Sequence, residues 1–160
     1  MLAKNHLAPA LLALALIAAP AGAALAAGPH AHDGHAAIGQ ELTLDNGRKW
    51  QTDAPLRTGM EGIRTLLAGS LPQIHDGTLP PEKFGSLAAG VEERIDYVVA
   101  NCRLPEDADA QLHLVLAEII EGAGQMKGDG DRRQGAVRIV QALDAYGAHF
   151  DHPGWKGLVH

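Results

Sequence analysis

The chain has 160 residues, a formal net charge of −6 and no run of basic residues, so phosphate-backbone recognition, which needs clustered Lys and Arg, is excluded as its business. One cysteine rules out an intramolecular disulfide, and 4% aromatic content leaves the core to aliphatic side chains. What remains is room for one domain with a real core.

Residues 1–26 read as a signal peptide. Lys4 supplies a short positive start, Leu7–Ala19 an apolar stretch too short to span a bilayer, and Ala24-Leu25-Ala26 a small-residue cleavage site. The expectation is an exported, soluble, periplasmic protein with no membrane attachment after cleavage. Residues 27–40 follow as a His-rich tail without the apolar content to form a core, and the folded domain is expected over 41–160. His30, His32 and His35 lie close enough in that tail to share a Cu²⁺ or Zn²⁺ ion as an accessory capture arm; a solvated tail is the alternative.

Glu41–Gln51 places Leu42 and Leu44 before an Asn46-Gly47 step, the pattern of a short β-hairpin, with Trp50 as its anchor on the rest of the domain. The first helix is expected from Thr52-Asp53, with Pro55 tolerated in its first turn. Leu56, Met60, Ile63 and Leu67 form its inward stripe, and Gly69–Pro72 bend or end it before Ile74 and His75. After Pro80-Pro81 a second helix repeats Phe84, Leu87, Val91, Ile95, Val98 and Cys102 at helical spacing over five turns, which puts the cysteine on its buried stripe.

A corner at Leu104-Pro105 leads into a third helix, whose acidic first turn suits the helix dipole. Leu112, Leu116, Ile119, Ala123 and Met126 line its main face, Leu114, Val115 and Ile120 widen that face, and His113 falls on its edge. A Lys127–Gly130 turn precedes a fourth helix from about Asp131 to Phe150, with Ala136, Val140, Leu143 and Phe150 inside and Tyr146 beside them. Asp151–Gly154 stop it, and Trp155, Leu158 and His160 form a tail able to fold back. Four helices with short connections specify an all-α, antiparallel up-down-up-down four-helix bundle with a short N-terminal hairpin.

That topology gathers the start of the first helix, the end of the second, the start of the third and the end of the fourth. Met60, Cys102, His113 and His149 all fall in that half. Helical rise places Met60 and His113 about 10–12 Å from the end and Cys102 and His149 near the rim, so one ion could reach two or three of them. Thioether, thiolate and imidazole together favour copper, Cu(I) above all, over Mg²⁺ or Ca²⁺. His152 is a weaker partner for His149 at the rim. Each residue also has an ordinary reading: Met60 as core filler, Cys102 as a buried thiol or half of an intermolecular bridge, His113 as a hydrogen-bonded histidine at the core edge, His149 as a surface side chain.

The segments GMEGIRTLL and DAYGAHFDH resemble the two ligand-bearing stretches of cytochrome b562, a periplasmic four-helix bundle that holds haem b between a Met of its first helix and a His of its last. By position the resemblance implies Met60 and His149 as haem ligands. It covers two short segments, and the absence of C-x-x-C-H excludes covalent haem. The longer run from DNGRKWQTDAPLR through NCRLPEDADAQLH to DAYGAHFDHPGW resembles a group of small exported bacterial proteins labelled DnrO. That likeness covers nearly all the chain after the leader and implies the compartment and the fold, with no activity attached.

Enzyme motifs do not appear. Glu118 is followed three residues later by Glu121 where a di-iron bundle needs His, and there is no G-x-S-x-G, P-loop or dinucleotide fingerprint. Catalysis is not expected. Copper binding leads, with a haem b electron carrier or a metal-free module for a periplasmic protein partner as alternatives.

Overall fold

Each helix begins where the sequence offers a start signal. The computed structural model describes residues 41–159. The chain divides into two units, Met1–Asp33 and Gly34–His160, and everything described belongs to the second. The expected leader, the tail with His30, His32 and His35, and His160 lie outside the described residues.

Helix α1 spans Ala54–His75, α2 Pro81–Asn101, α3 Glu106–Lys127 and α4 Arg132–His149. Asp53 caps α1 by accepting the Leu56 N–H at 2.8 Å, and Asp131 caps α4 by accepting from Arg133 and Gln134. Prolines occupy the N-cap positions of α2 and α3, where the acidic residues Glu82 and Glu106, Asp107 and Asp109 fill the first turns. The four helices enclose one aliphatic core. Leu56, Met60, Ile63 and Leu67 of α1, Val91 and Val98 of α2, Leu112, Ile119 and Met126 of α3, and Ile139, Leu143 and Tyr146 of α4 are almost wholly withdrawn from solvent. No helix among the described residues is long and apolar enough to cross a membrane.

Three expectations need correcting. Gly69–Pro72 do not end α1: the missing Pro72 N–H falls in the last turn, Asp76 N–H still bonds Pro72 O at 3.0 Å, and the buried Leu71 and Ile74 hold that turn to the core. Ile120 does not widen the buried face of α3 but is 53% exposed. There is no hairpin either. Asn46 and Gly47, both at positive φ, make a tight turn closed by reciprocal Asp45–Arg48 backbone bonds, and the pairing stops at that single bridge. Beyond it the chain leaves to form β1, Trp50–Gln51, which pairs in parallel with β2, Phe150–Asp151. The buried Phe150 offers Trp50 a core edge that the polar turn cannot, and a parallel partner has to come from far along the chain.

Helix α1 lies against α2 and α4, and α3 against α2 and α4. Close approach within two of these pairs depends on glycine. Gly59 meets Val98 and Gly62 meets Arg94 between α1 and α2. Between α3 and α4, a Cβ on Gly122 would stand 2.7 Å from Gly135 O, and one on Gly135 2.5 Å from Gly122 O. The other two seams, α2 against α3 and α1 against α4, each carry a surface opening.

Candidate functional site: the corner between α2 and α3

The corner is built on Asp53. One of its carboxylate oxygens caps α1, and the other accepts the Arg103 N–H at 2.7 Å, fifty residues away. The Cys102 thiol donates to the same carboxylate. Burial alone would raise the Asp53 pKa, but the Arg103 and Leu56 N–H groups, the thiol and the Arg57 charge outweigh it and hold the carboxyl below its ordinary value. The thiol responds in the opposite sense: burial first, then the Asp53 charge, push Cys102 up to about 12. It is a protonated hydrogen-bond donor and not a ready nucleophile.

Cys102 is the C-cap of α2 and not a member of its last turn, with extended φ/ψ of −69° and 140° and its N–H on Val98 O. It is half-buried. Side chains reach three carbonyls at the end of α2: Asn101 donates to Tyr97 O, and the Arg103 guanidinium to Ala100 O and Cys102 O. The stop thus leaves the thiol facing a groove of about 350 Å³ lined by Val98, Val99, Cys102, Arg103, Leu104, Asp109, Leu112, His113 and Leu116.

His113 enters the same groove from α3. Its side chain is 69% exposed, well outside the core edge expected of it. Its Nδ1 lies 2.8 Å from Asp109 O and 3.4 Å from Asp109 Oδ2. A carbonyl oxygen can only accept, so Nδ1 carries the proton and Nε2 presents its lone pair elsewhere. His149 repeats this arrangement on α4, with Nδ1 donating to Ala145 O at 2.8 Å.

The structure therefore brings Cys102 and His113 into one groove. Met60 is fully buried in the core, and neither it nor His149 lines that groove. No group of three or more His, Cys, Asp or Glu side chains placed to hold a metal occurs among the described residues.

His152 belongs to a separate aromatic cluster. Its Nδ1 is 3.1 Å from the Tyr146 hydroxyl, and its ring lies 4.9 Å from that of Trp155. Tyr146 stacks on Phe150 at 5.2 Å and meets Trp155 edge-on at 4.9 Å. No protein-family model, curated protein or solved structure matches this chain.

Sequence reading singled out Cys102 and His113 but missed Asp53, Arg103 and Asp109 as their supports. Asp53 was legible as a cap; its second role depends on how α1 meets the corner, which no local pattern encodes. The pairing of thiol and carboxylate has a direct consequence. In the native protein Cys102 should alkylate far more slowly at pH 8 than a free thiol, and Asp53→Asn should speed it by removing the charge and leaving only a weaker amide acceptor. Timed iodoacetamide labelling read by mass spectrometry checks this, and equal rates in the two proteins would contradict it.

Proposed function

We propose that this is an exported, periplasmic, non-catalytic binding protein whose ligand seat is the α2/α3 corner, and that its ligand is a soft transition-metal ion, copper(I). The observation that carries the reading is that Cys102 and His113, from different helices, line one groove. Cu(I) accepts two-coordinate binding by one sulfur and one imidazole nitrogen, so this pair is a sufficient donor set. The Asp109 carbonyl orients the imidazole in the way second-shell groups orient metal-bound histidines. The Cys102 thiol proton, donated to the Asp53 carboxylate, has to leave when the ion binds, so loading releases a proton.

An antiparallel up-down-up-down bundle is the arrangement that best accounts for this corner. Thr43 N–H donates to Gln111 Oε1, Lys49 to Gly147 O, Thr52 to Asp151 O and Arg103 N–H to Asp53, which draws the start of α1, the end of α2, the start of α3 and the end of α4 together. The leader pattern of residues 1–26 supports export, and His30, His32 and His35 would serve as a capture arm. The likeness to the DnrO group agrees with the same compartment and architecture.

A metal-free partner-binding module is the second reading, favoured by one observation. The thiol is already committed to Asp53, and Val99, 66% exposed on the groove rim, gives a partner an apolar hold. The haem b reading through Met60 and His149 would need the porphyrin to displace core side chains around the fully buried Met60.

Anaerobic competition for Cu(I) against a chromophoric chelator tests the lead. One equivalent should be withheld by the wild type, none by Cys102→Ser and markedly less by His113→Ala, with Met60→Leu unaffected. No withheld copper would leave the partner reading, and a Soret band on haemin titration that disappears in His149→Ala would turn the assignment to haem.

A further inference from the structure

After β2 the chain turns through His152-Pro153-Gly154, with Gly154 at φ +81° and Trp155 N–H on His152 O at 3.0 Å, and lies along the seam between α1 and α4. Two side chains hold it there. The Trp155 indole rests on Gly147 of α4, where a Cβ would stand 2.5 Å from Nε1, and Leu158, 8% exposed, reaches the part of α1 that contains Ala68 and Leu71. Pro153, Gly154, Lys156, Gly157 and Val159 are exposed. The hold is incomplete, because Trp155 Nε1 is buried without an acceptor, which costs docking free energy.

We propose that residues 152–159 form an acid-released strap: neutral His152, wedged between Tyr146 and Trp155, keeps the segment seated, and protonated His152 lets it lift and uncover the α1/α4 seam. With the neutral ring carrying its proton on Nε2, the fully buried Tyr146 donates its hydroxyl proton to His152 Nδ1. Protonation puts an N–H where the lone pair was, and the phenol proton must find another acceptor.

On balance the surroundings of the imidazole oppose that charge. Burial disfavours the imidazolium most, the Glu61 carboxylate favours it, and the Arg57 and Arg64 guanidiniums of α1 disfavour it, for a net lowering of its pKa. Glu61 is itself engaged with Arg64 at 2.6 and 2.9 Å, and Asp151, the chain neighbour, turns its carboxylate to Gln51 at 3.3 Å. Tyr146 from α4 and Trp155 from the strap bring no charge at neutral pH. The seated form therefore binds the proton less well than the lifted form. Acid drives release, with no effect above the ordinary histidine range and a growing one as pH falls below about 6.5.

The test is amide exchange on the full wild-type chain, expressed as protection factors at about pH 7 and about pH 5. Protection at Trp155 and Leu158 should fall roughly tenfold more than that of core amides such as Ile119 and Leu143. In parallel, Trp155 emission read in a Trp50→Phe background should shift to the red and become more quenchable by acrylamide over the same range, with far-UV circular dichroism constant. His152→Gln keeps an acceptor for Tyr146 but cannot charge, and should flatten both responses. Unchanged strap protection at pH 5, a transition that survives in His152→Gln, or strap and helices losing protection together would each overturn the proposal.

Discussion

Gly135→Ala is expected to destabilise the protein by about 3 kcal/mol, lowering its melting temperature by roughly 10 °C. The new methyl group would stand 2.5 Å from Gly122 O and 2.8 Å from Met126 N. Both are backbone atoms inside α3, so no rotamer change relieves the overlap and the two helices have to separate. Gly124→Ala, midway between those two contact residues but on the open face of α3, meets nothing within 4 Å and should stabilise by about 0.5–1 kcal/mol through helix propensity alone. Urea denaturation of the two variants checks the pair. Opposite shifts in midpoint with an unchanged slope are the expected result, and a shared sign would show that the seam tolerates widening.

Asp53→Ala should cost about 2–3 kcal/mol, more than an ordinary helix cap, because the Leu56 N–H, the Arg103 N–H and the Cys102 thiol lose their acceptor together. Asp53→Asn should lose roughly half as much, since one amide oxygen can serve only part of that set. The acid limb gives the sign. Folding lowers this carboxyl's pKa, so the unfolded chain takes up the proton first. The contribution is whole above the ordinary aspartate range near about pH 4 and drains away as pH falls through the folded value. Stability measured from pH 7 to pH 2 should therefore fall less steeply in Asp53→Asn than in wild type, and parallel curves would remove Asp53 from its central place.

The four helices were legible because their apolar positions recur at helical spacing and Asp53, Pro80, Pro105 and Asp131 mark their starts. Where reading failed, a distant contact had decided the matter. Gly69–Pro72 read as a bend or an end, and the helix ran on to His75 because Leu71 and Ile74 had core to bury. Asn46-Gly47 looked like a hairpin, and the turn did form, but Trp50 found Phe150. At the corner, the proximity of Cys102 and His113 followed from helix order, whereas the exposure of His113 depended on the rotation of α3, to which a residue on the edge of a stripe is the most sensitive. Trp155 was legible as a tail that could fold back; its seat was not, because Gly147 reads as one more small residue until the indole is seen lying on it.

The parallel pair Trp50–Phe150 joins residues a hundred positions apart. Nearly the whole domain has to be threaded between them before either can gain from the contact, and closing so long a loop costs more entropy than docking neighbouring helices, by about 0.6 kcal/mol for each doubling of its length. Refolding should accordingly build the adjacent helix pairs early and knot the two ends together last. A mechanical load applied at Trp50 would meet that late-formed clasp first, so under force the molecule should open from its ends inward.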